Sequence, residues 1–152
     1  MTKTGDGTTA PSEADIDNVL VWTAVRVGRR LERIVTDRLA GHGLNPVQFG
    51  VLVYLGARPG MSQSDLARAI YIRPQSVRET IATMTDRGLL HRDGPPGRGR
   101  RSAMRLTADG HALLERVWPV VTGIDPADVG IAPNDEPVLN RLLHMVLGAS
   151  VP

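Results

Sequence analysis

Apolar residues recur at helical spacing along most of this chain, and the interruptions between the runs predict where each element ends. From Ala14 to Gly41 the apolar positions follow one another at intervals near three, four or seven, which predicts one long first helix. A second helix is expected after Asn45, a favourable N-cap that is followed by proline. A helix of more than 20 residues at the edge of a small domain often packs against a second chain, so the first helix is a candidate dimerisation element.

Two shorter helices follow, and they favour a helix-turn-helix. Ser62 and Asp65 form a short capping box before the first of them, and Pro74 suits the start of the second. In the second helix Val77, Ile81 and Met84 are spaced to lie on one face, which predicts that this face is buried. The opposite face carries mostly short polar side chains that form hydrogen bonds: Gln75, Ser76, Arg78, Glu79, Ala82 and Thr83.

A β-hairpin is predicted next, because two short extended segments flank the Gly- and Pro-rich stretch GPPGRGRR, residues 94–101. In the second segment Met104 and Leu106 alternate with other residues, so one side can be buried. Thr107 can cap a long helix that follows, and a last helix is apolar over so wide an arc that it needs a partner. The fold class predicted is mostly α-helical with a small β-hairpin.

Charge adds a distinct feature to this pattern. The 152 residues carry a net charge of +2. The segment from Ser62 to Thr107 holds nine arginines and four acidic residues, a net +5 that leaves −3 for the rest. A basic middle between less basic ends is typical of a module that binds a polyanion. A chance fluctuation in an arginine-rich chain is the competing explanation.

Composition and the chain ends exclude several classes of protein. The chain has no cysteine, which excludes disulfides and thiol nucleophiles and suits a reducing cytoplasm, where we expect the protein to be located. Residues 1–13 have no apolar run and are expected to be disordered, not a signal peptide. No segment approaches the roughly 18 apolar residues of a membrane span. No catalytic set is visible, so we expect no enzyme.

Four short motifs carry a family resemblance. LARAI, RPQSV, DRGLL and RLTADG occur in this order, and together they resemble the MarR family of bacterial transcription regulators from roughly Asn45 to Val121. The resemblance implies a winged helix-turn-helix DNA-binding domain at residues 45–107. It also implies an N-terminal dimerisation helix at residues 14–44 and C-terminal dimerisation helices at residues 108–152, after a disordered segment at residues 1–13.

The same resemblance implies partners and a mode of action. Family members are homodimers whose two winged modules bind successive major grooves of double-stranded DNA at an inverted-repeat operator. A small-molecule effector or a stress signal weakens this binding, so a repressor is expected. Two other functions remain open: a winged-helix module that binds protein without specific DNA binding, and a small helical enzyme. The basic middle segment disfavours the first, and the lack of a catalytic set disfavours the second.

Candidate DNA contacts lie at the start of the second short helix, because the N-terminus of a recognition helix presents its first exposed residues to base edges. Gln75 is suited to adenine and Arg78 to guanine, while Arg73 can reach a phosphate. Glu79 is expected to orient Arg78 or to repel wrong sequences. The predicted contacts from this helix are Arg73, Gln75, Ser76, Arg78 and Thr83.

The hairpin loop supplies three more predicted DNA contacts, Arg98, Arg100 and Arg101. The family commonly has Asp-x-Arg at this place, and here Arg98-Gly99-Arg100 occupies it. Arg100 matches the family arginine, but Arg98 replaces the aspartate that would hold it. Asp93 at the base of the hairpin is a candidate replacement.

Effector-binding candidates are Trp22, Arg26, His42 and His111. Arg26 belongs to an arginine stripe on the first helix, for which a solvated or intersubunit face is the default and an anionic aromatic effector the alternative. His42 follows the first helix where family effectors often bind, and His111 is expected near it, although both also fit ordinary solvated loops. The histidines lack the spacing of metal ligands, so neither a metal nor a cofactor is expected.

Overall fold

The computed structural model describes residues 10–93 and 103–148, so the wing residues Arg98, Arg100 and Arg101 lie outside the described residues. The chain divides into two units, of which the first ends at Ile34 and the second begins at Val35. No helix of the described residues is long and apolar enough to cross a membrane. In chain order the elements are α1 (Glu13–Asp17), α2 (Leu20–Ala40), α3 (Pro46–Ala57), α4 (Gln63–Ile70), α5 (Pro74–Asp86), β1 (Leu90–Asp93), β2 (Ala103–Leu106), α6 (Ala108–Thr122), a 3-10 turn (Pro126–Val129) and α7 (Glu136–Val146).

The prediction of a single helix from Ala14 to Gly41 is wrong, because the helix is interrupted between α1 and α2. Asn18 ends α1, and its side-chain Nδ2 donates to the carbonyl of Ala14 at 2.9 Å. An asparagine side chain that bonds the backbone in this way competes with the helical ladder and favours a helix end. Apolar periodicity on both sides of Asn18 concealed this local interruption.

The core of the second unit is built from α3 to α6 and the hairpin, together with Leu39 at the end of α2 and Leu44 in the turn after it. Val77, Ile81 and Met84 of α5 are buried, as their spacing predicted. Met104 and Leu106 of β2 are buried as well, so the predicted alternation of the hairpin is confirmed. Further buried side chains from α3, α4 and α6 include Leu52, Leu55, Leu66, Leu113 and Val117.

The hairpin is antiparallel, with Leu90 opposite Leu106 and Arg92 opposite Met104. A third segment joins its edge, since Met61 pairs with Met104 through an isolated bridge. The predicted hairpin is thus present, and its edge is covered by the residues that lead into α4. This arrangement places the base of the wing beside the helix-turn-helix.

The end of α5 and the start of α6 meet at a tightly packed joint. Gly88 adopts φ +73° beyond the helix end, and the Thr107 hydroxyl donates to its carbonyl at 2.6 Å. Thr107 also caps α6 as predicted, since its Oγ1 accepts from the Gly110 amide at 3.1 Å. A Cβ placed on Gly110 would lie 2.2 Å from the carbonyl oxygen of Leu89. The joint therefore requires glycine at position 110.

The predicted N-caps of α3 and α4 are confirmed. Asn45 accepts from the Gln48 amide at 2.9 Å, and Pro46 occupies the first position of α3. Ser62 accepts from the Asp65 amide at 3.1 Å, while Asp65 accepts from both the hydroxyl and the amide of Ser62. Because these two donors favour the ionised carboxylate, they hold the pKa of Asp65 below its usual value.

Replacement of Ser62 by alanine should lower the free energy of unfolding by about 1 kcal/mol at neutral pH, because the N-cap bond is lost. A carboxyl group with a depressed folded-state pKa contributes stability above its unfolded pKa, and that contribution is lost as pH falls through the folded pKa. The difference in the free energy of unfolding between wild type and Ser62→Ala should therefore become smaller below about pH 4. Urea denaturation at several pH values measures this, and a gap that widens in acid would contradict the capping role.

Candidate DNA interface

One face of α5 anchors the helix in the core and leaves the opposite face open. With Val77, Ile81 and Met84 buried, the side chains of Gln75, Ser76, Arg78, Glu79, Ala82 and Thr83 are all exposed, as the sequence predicted. The N-cap residue Arg73 is exposed too, and its side chain does not bond the first amides of the helix. A cation at the positive end of a helix is unfavourable without an anion nearby. This end of α5 is therefore suited to receive a phosphate.

The polar face of α5 is organised by hydrogen bonds along the helix. The Gln75 Nε2 donates to the Glu79 Oε1 at 2.9 Å, across one helical turn. Glu79 therefore orients Gln75 and not, as had been expected, Arg78. Gln75 and Glu79 are four residues apart and share a helix face, whereas the side chains of adjacent residues such as Arg78 and Glu79 point about 100° apart. Arg78 makes no ion pair within residues 10–93 and 103–148, so its guanidinium is available to a ligand.

The hydroxyl groups of α5 differ in what they can offer to DNA. Thr83 donates its hydroxyl hydrogen to the Glu79 carbonyl at 3.0 Å, and Thr80 donates to the Ser76 carbonyl at 2.8 Å. In this rotamer Thr83 can accept a hydrogen bond but cannot donate one to a phosphate. Ser76 lies exposed one turn earlier, and its hydroxyl is better placed for that role.

The base of the wing contains a charged cluster that the sequence reasoning missed. Asp93 accepts from the Arg105 Nε, and the His91 Nε2 lies 3.4 Å from its other oxygen. The strand register places His91 opposite Arg105, which brings both side chains to the outer face of the hairpin. Asp93, the candidate holder of Arg100, is thus engaged by Arg105, and Arg100 itself lies outside the described residues.

Arg87 anchors the C-terminal end of α5. Its Nη1 donates to the Gly43 carbonyl at 2.9 Å, in the turn that follows α2. Gly43 has φ +65°, a backbone region that favours glycine. This bond fixes the exit of α5 against the turn at residues 41–45, while Gln75, Ser76 and Arg78 in its N-terminal half stay exposed.

Two of the four effector candidates belong to each unit. In the first unit Arg26 pairs with Asp17 at 2.8 Å, and the guanidinium of Arg29 lies 5.8 Å from the centroid of the Trp22 ring. In the second unit His42 is half-buried in the turn after α2, and His111 is exposed in the first turn of α6. No contact between these two histidines is among those described, and the role of all four residues stays a prediction.

Two cavities of the second unit were not anticipated. One of about 450 Å³ lies between α3 and α6 and is lined by Val53, Ala57, Leu114, Glu115 and Trp118. The other, of about 620 Å³, has Tyr54, Arg58, Arg68, Tyr71 and His144 among its lining residues. The residues that line each cavity are far apart in the sequence, and they come together only because the helices pack against each other. Within the described ranges no cluster of His, Cys, Asp or Glu could hold a metal ion.

The described elements define a class of protein. A helix-turn-helix made of α4 and α5, followed by a β-hairpin wing and flanked by further helices, is a winged helix-turn-helix domain. Its exposed second helix and basic wing segment match the way in which this class presents a recognition helix to DNA.

Comparisons with known proteins identify the family. A family model described as MarR family matches residues 42–101. The HTH-type transcriptional repressor Rv2887 of Mycobacterium tuberculosis is 33% identical over 109 residues, which are 72% of this chain and 78% of that protein. The chain belongs to the MarR family.

Solved structures agree with this assignment. The crystal structure of the M. tuberculosis MarR family protein Rv2887 in complex with salicylic acid has a TM-score of 0.68 and 30% identity, over 84% of this chain and 95% of that one. The transcriptional repressor CouR bound to a 23-mer DNA duplex has a TM-score of 0.78 over 91% of this chain and 99% of that one. At 23% identity, the CouR structure supports the fold alone.

Proposed function

We propose that the protein is a sequence-specific DNA-binding transcription repressor of the MarR family, and not an enzyme, that acts in the cytoplasm. The observation that carries this proposal is the exposed face of α5. It presents Gln75, Ser76 and Arg78 beside an N-terminus that its own N-cap residue leaves uncapped. Arg78 and Gln75 are suited to guanine and adenine edges, and Arg73 to a phosphate.

We also propose that two chains act together. Among the exposed apolar residues of α7, Val138, Leu142 and Met145 form a stripe with the spacing of one helix face. On α2, Leu20 and Val21 are 80% and 73% exposed. Exposed apolar residues of this kind often mark a protein–protein interface. Residues 14–44 and 108–152 are proposed as dimerisation helices and residues 45–107 as the DNA-binding domain. The dimer would read an inverted-repeat operator with half-site centres about 34–36 Å apart.

Release of DNA by a small molecule is the proposed mode of regulation. The relative Rv2887 has been crystallised with salicylic acid, and a regulator named BpsR, 25% identical, is described as controlled by 6-hydroxynicotinic acid. Both compounds are aromatic carboxylic acids, so the proposed effector belongs to that class. Arg29 beside Trp22 and the two cavities of the second unit are candidate places for it.

The decisive experiment is selection of bound sequences from a random duplex pool with the full-length protein. A palindromic consensus is the expected result. Binding to it should weaken with salt, with log K falling about 0.9 per phosphate contact for each tenfold rise in salt. Enrichment of no sequence, or a flat response to salt, would overturn DNA recognition and favour a protein-binding module.

Arg78→Ala should weaken binding to the selected operator by about 1–3 kcal/mol, roughly 5- to 150-fold, and relax the preference at one base pair of each half-site. The reason is that a bidentate contact with guanine is lost while backbone contacts remain. Fluorescence anisotropy against the operator and its single-base variants measures both effects. Arg116→Ala removes another exposed arginine, from α6, and should leave the base preference as in wild type.

A further inference from the structure

The proposed DNA-reading face of α5 contains one feature that base and phosphate contacts do not explain. Glu79 is exposed on the same face as Gln75 and Ser76. A carboxylate that faces the phosphate backbone is repelled by it, so it lowers the affinity for DNA of any sequence. A residue with this effect on affinity is expected to contribute instead to discrimination between sequences.

Glu79 holds the side chain of Gln75 in one orientation. The Gln75 Nε2 donates to the Glu79 Oε1 at 2.9 Å, so the amide nitrogen points along the helix toward Glu79. The Gln75 Oε1 is thereby directed away from that carboxylate. Without this bond the amide would rotate between its two flipped states, and the pattern of donor and acceptor that it presents would be undefined.

The orientation that Glu79 imposes still permits recognition of adenine. A glutamine reads adenine when its oxygen accepts from N6 and its nitrogen donates to N7. The Gln75 Nε2 carries two hydrogens, of which Glu79 uses one, so the second is left for the base. A side chain that is already ordered before binding loses less conformational freedom in the complex.

The second oxygen of the Glu79 carboxylate can read a base by itself. In the part of the chain that the structure describes, Gln75 bonds the Oε1 of this carboxylate, and Thr83 bonds only the main-chain carbonyl of Glu79. A carboxylate oxygen accepts from the N4 amino group of cytosine. It is repelled by N7 and O6 of guanine and by O4 of thymine, which are all acceptors.

We propose that Glu79 is a specificity-determining residue of the DNA site, which orients Gln75 for adenine and accepts the amino group of cytosine at a neighbouring base pair. This inference rests on the proposed DNA-binding function. It assigns to Glu79 two separable effects, one through its acceptor oxygen and one through its charge.

Three variants separate these effects from each other and from folding. Glu79→Ala removes both the acceptor and the charge, while Glu79→Gln keeps an acceptor for Gln75 and removes the charge. Glu13→Gln makes the same charge change at an exposed position of α1, outside the proposed DNA-binding and dimerisation segments, and is the matched control. Each full-length protein is used to select sequences from a random duplex pool, and its Kd for a non-operator duplex is measured at low salt.

The expected result differs for each variant. Glu79→Ala should lose preference at the adenine and at the neighbouring cytosine of each half-site, and should bind non-operator DNA about threefold or more tightly at low salt. Glu79→Gln should keep the adenine and shift the neighbouring preference from cytosine toward adenine, because an amide presents the donor and acceptor that adenine takes. Glu13→Gln should select the wild-type motif.

Three outcomes would overturn the inference. In the first, Glu79→Ala selects the same motif as wild type and its Kd for the non-operator duplex is unchanged. In the second, the half-site that the wild-type protein selects contains no adjacent adenine and cytosine. Either one leaves the proposed DNA-binding function intact. The third is a wild-type protein that selects no motif, which removes both the inference and the proposed function. Circular dichroism of each variant should show unchanged helix content, because Glu79 is exposed.

Discussion

Replacement of Gly110 by alanine should lower the free energy of unfolding by about 1–3 kcal/mol, although alanine is the better helix former. A Cβ at this position would lie 2.2 Å from the carbonyl oxygen of Leu89 and 3.3 Å from the Cβ of Leu106. Neither neighbour is the far end of a flexible side chain, so α6 would have to move away from the turn after α5. Urea denaturation followed by circular dichroism measures the loss.

Gly28→Ala is the matched control for this prediction, because Gly28 also lies inside a helix but a Cβ there would meet nothing within 4 Å. It should raise stability by up to about 1 kcal/mol, the ordinary gain of a glycine-to-alanine change in a helix. A stabilising effect of Gly110→Ala would show that the joint between α5 and α6 is not close-packed. Because that joint also holds the end of the recognition helix, operator affinity should fall together with stability in Gly110→Ala.

The paired substitutions Leu142→Glu and Met145→Glu should convert the proposed dimer into monomers at micromolar concentration. These side chains are 49% and 63% exposed in the single chain, so the changes cost the monomer little. In a dimer that covers this stripe, two unpaired carboxylates would be buried, at a cost of several kcal/mol. Light scattering should show half the wild-type mass, and affinity for the full palindrome should fall by about 100-fold or more while half-site binding persists.

Asn140→Glu adds a charge to α7 on the face opposite the stripe and should leave the dimer intact. This control separates the effect of the apolar face from the effect of charge on the helix as such. A wild-type protein that is monomeric at micromolar concentration would remove the dimer proposal. A paired variant that stays dimeric would place the interface elsewhere than on this stripe of α7.

The elements of the second unit were predictable where their signals are local. The caps of Asn45, Ser62 and Thr107 act within three residues of the capping side chain, so their motifs are visible in the sequence. The burial of Val77 and Met84 followed from spacing alone. The break at Asn18 was missed because one side-chain bond to Ala14 outweighed a continuous apolar pattern.

The candidate site was predictable in its residues but not in its contacts. Exposure of Gln75 and Arg78 followed from the buried face of α5, whereas the partner of Glu79 did not follow from adjacency in the chain. The i, i+4 spacing of Gln75 and Glu79 is the signal that could have identified the pair. Asp93 and Arg105 lie twelve residues apart and meet only because the strands pair in one register.

The amino-acid sequence by itself determined the helix order from α3 onward, the caps at Asn45, Ser62 and Thr107, and the polar face of α5. It also determined the basic segment that contains GPPGRGRR. These features depend on interactions within a turn or two of helix, or on charge summed along the chain. The tertiary structure alone decided that position 110 must be glycine, that Arg87 bonds Gly43, and that cavities open beside α3. Each of these features depends on how closely separate elements pack against each other, and such packing produces no periodic pattern in the sequence.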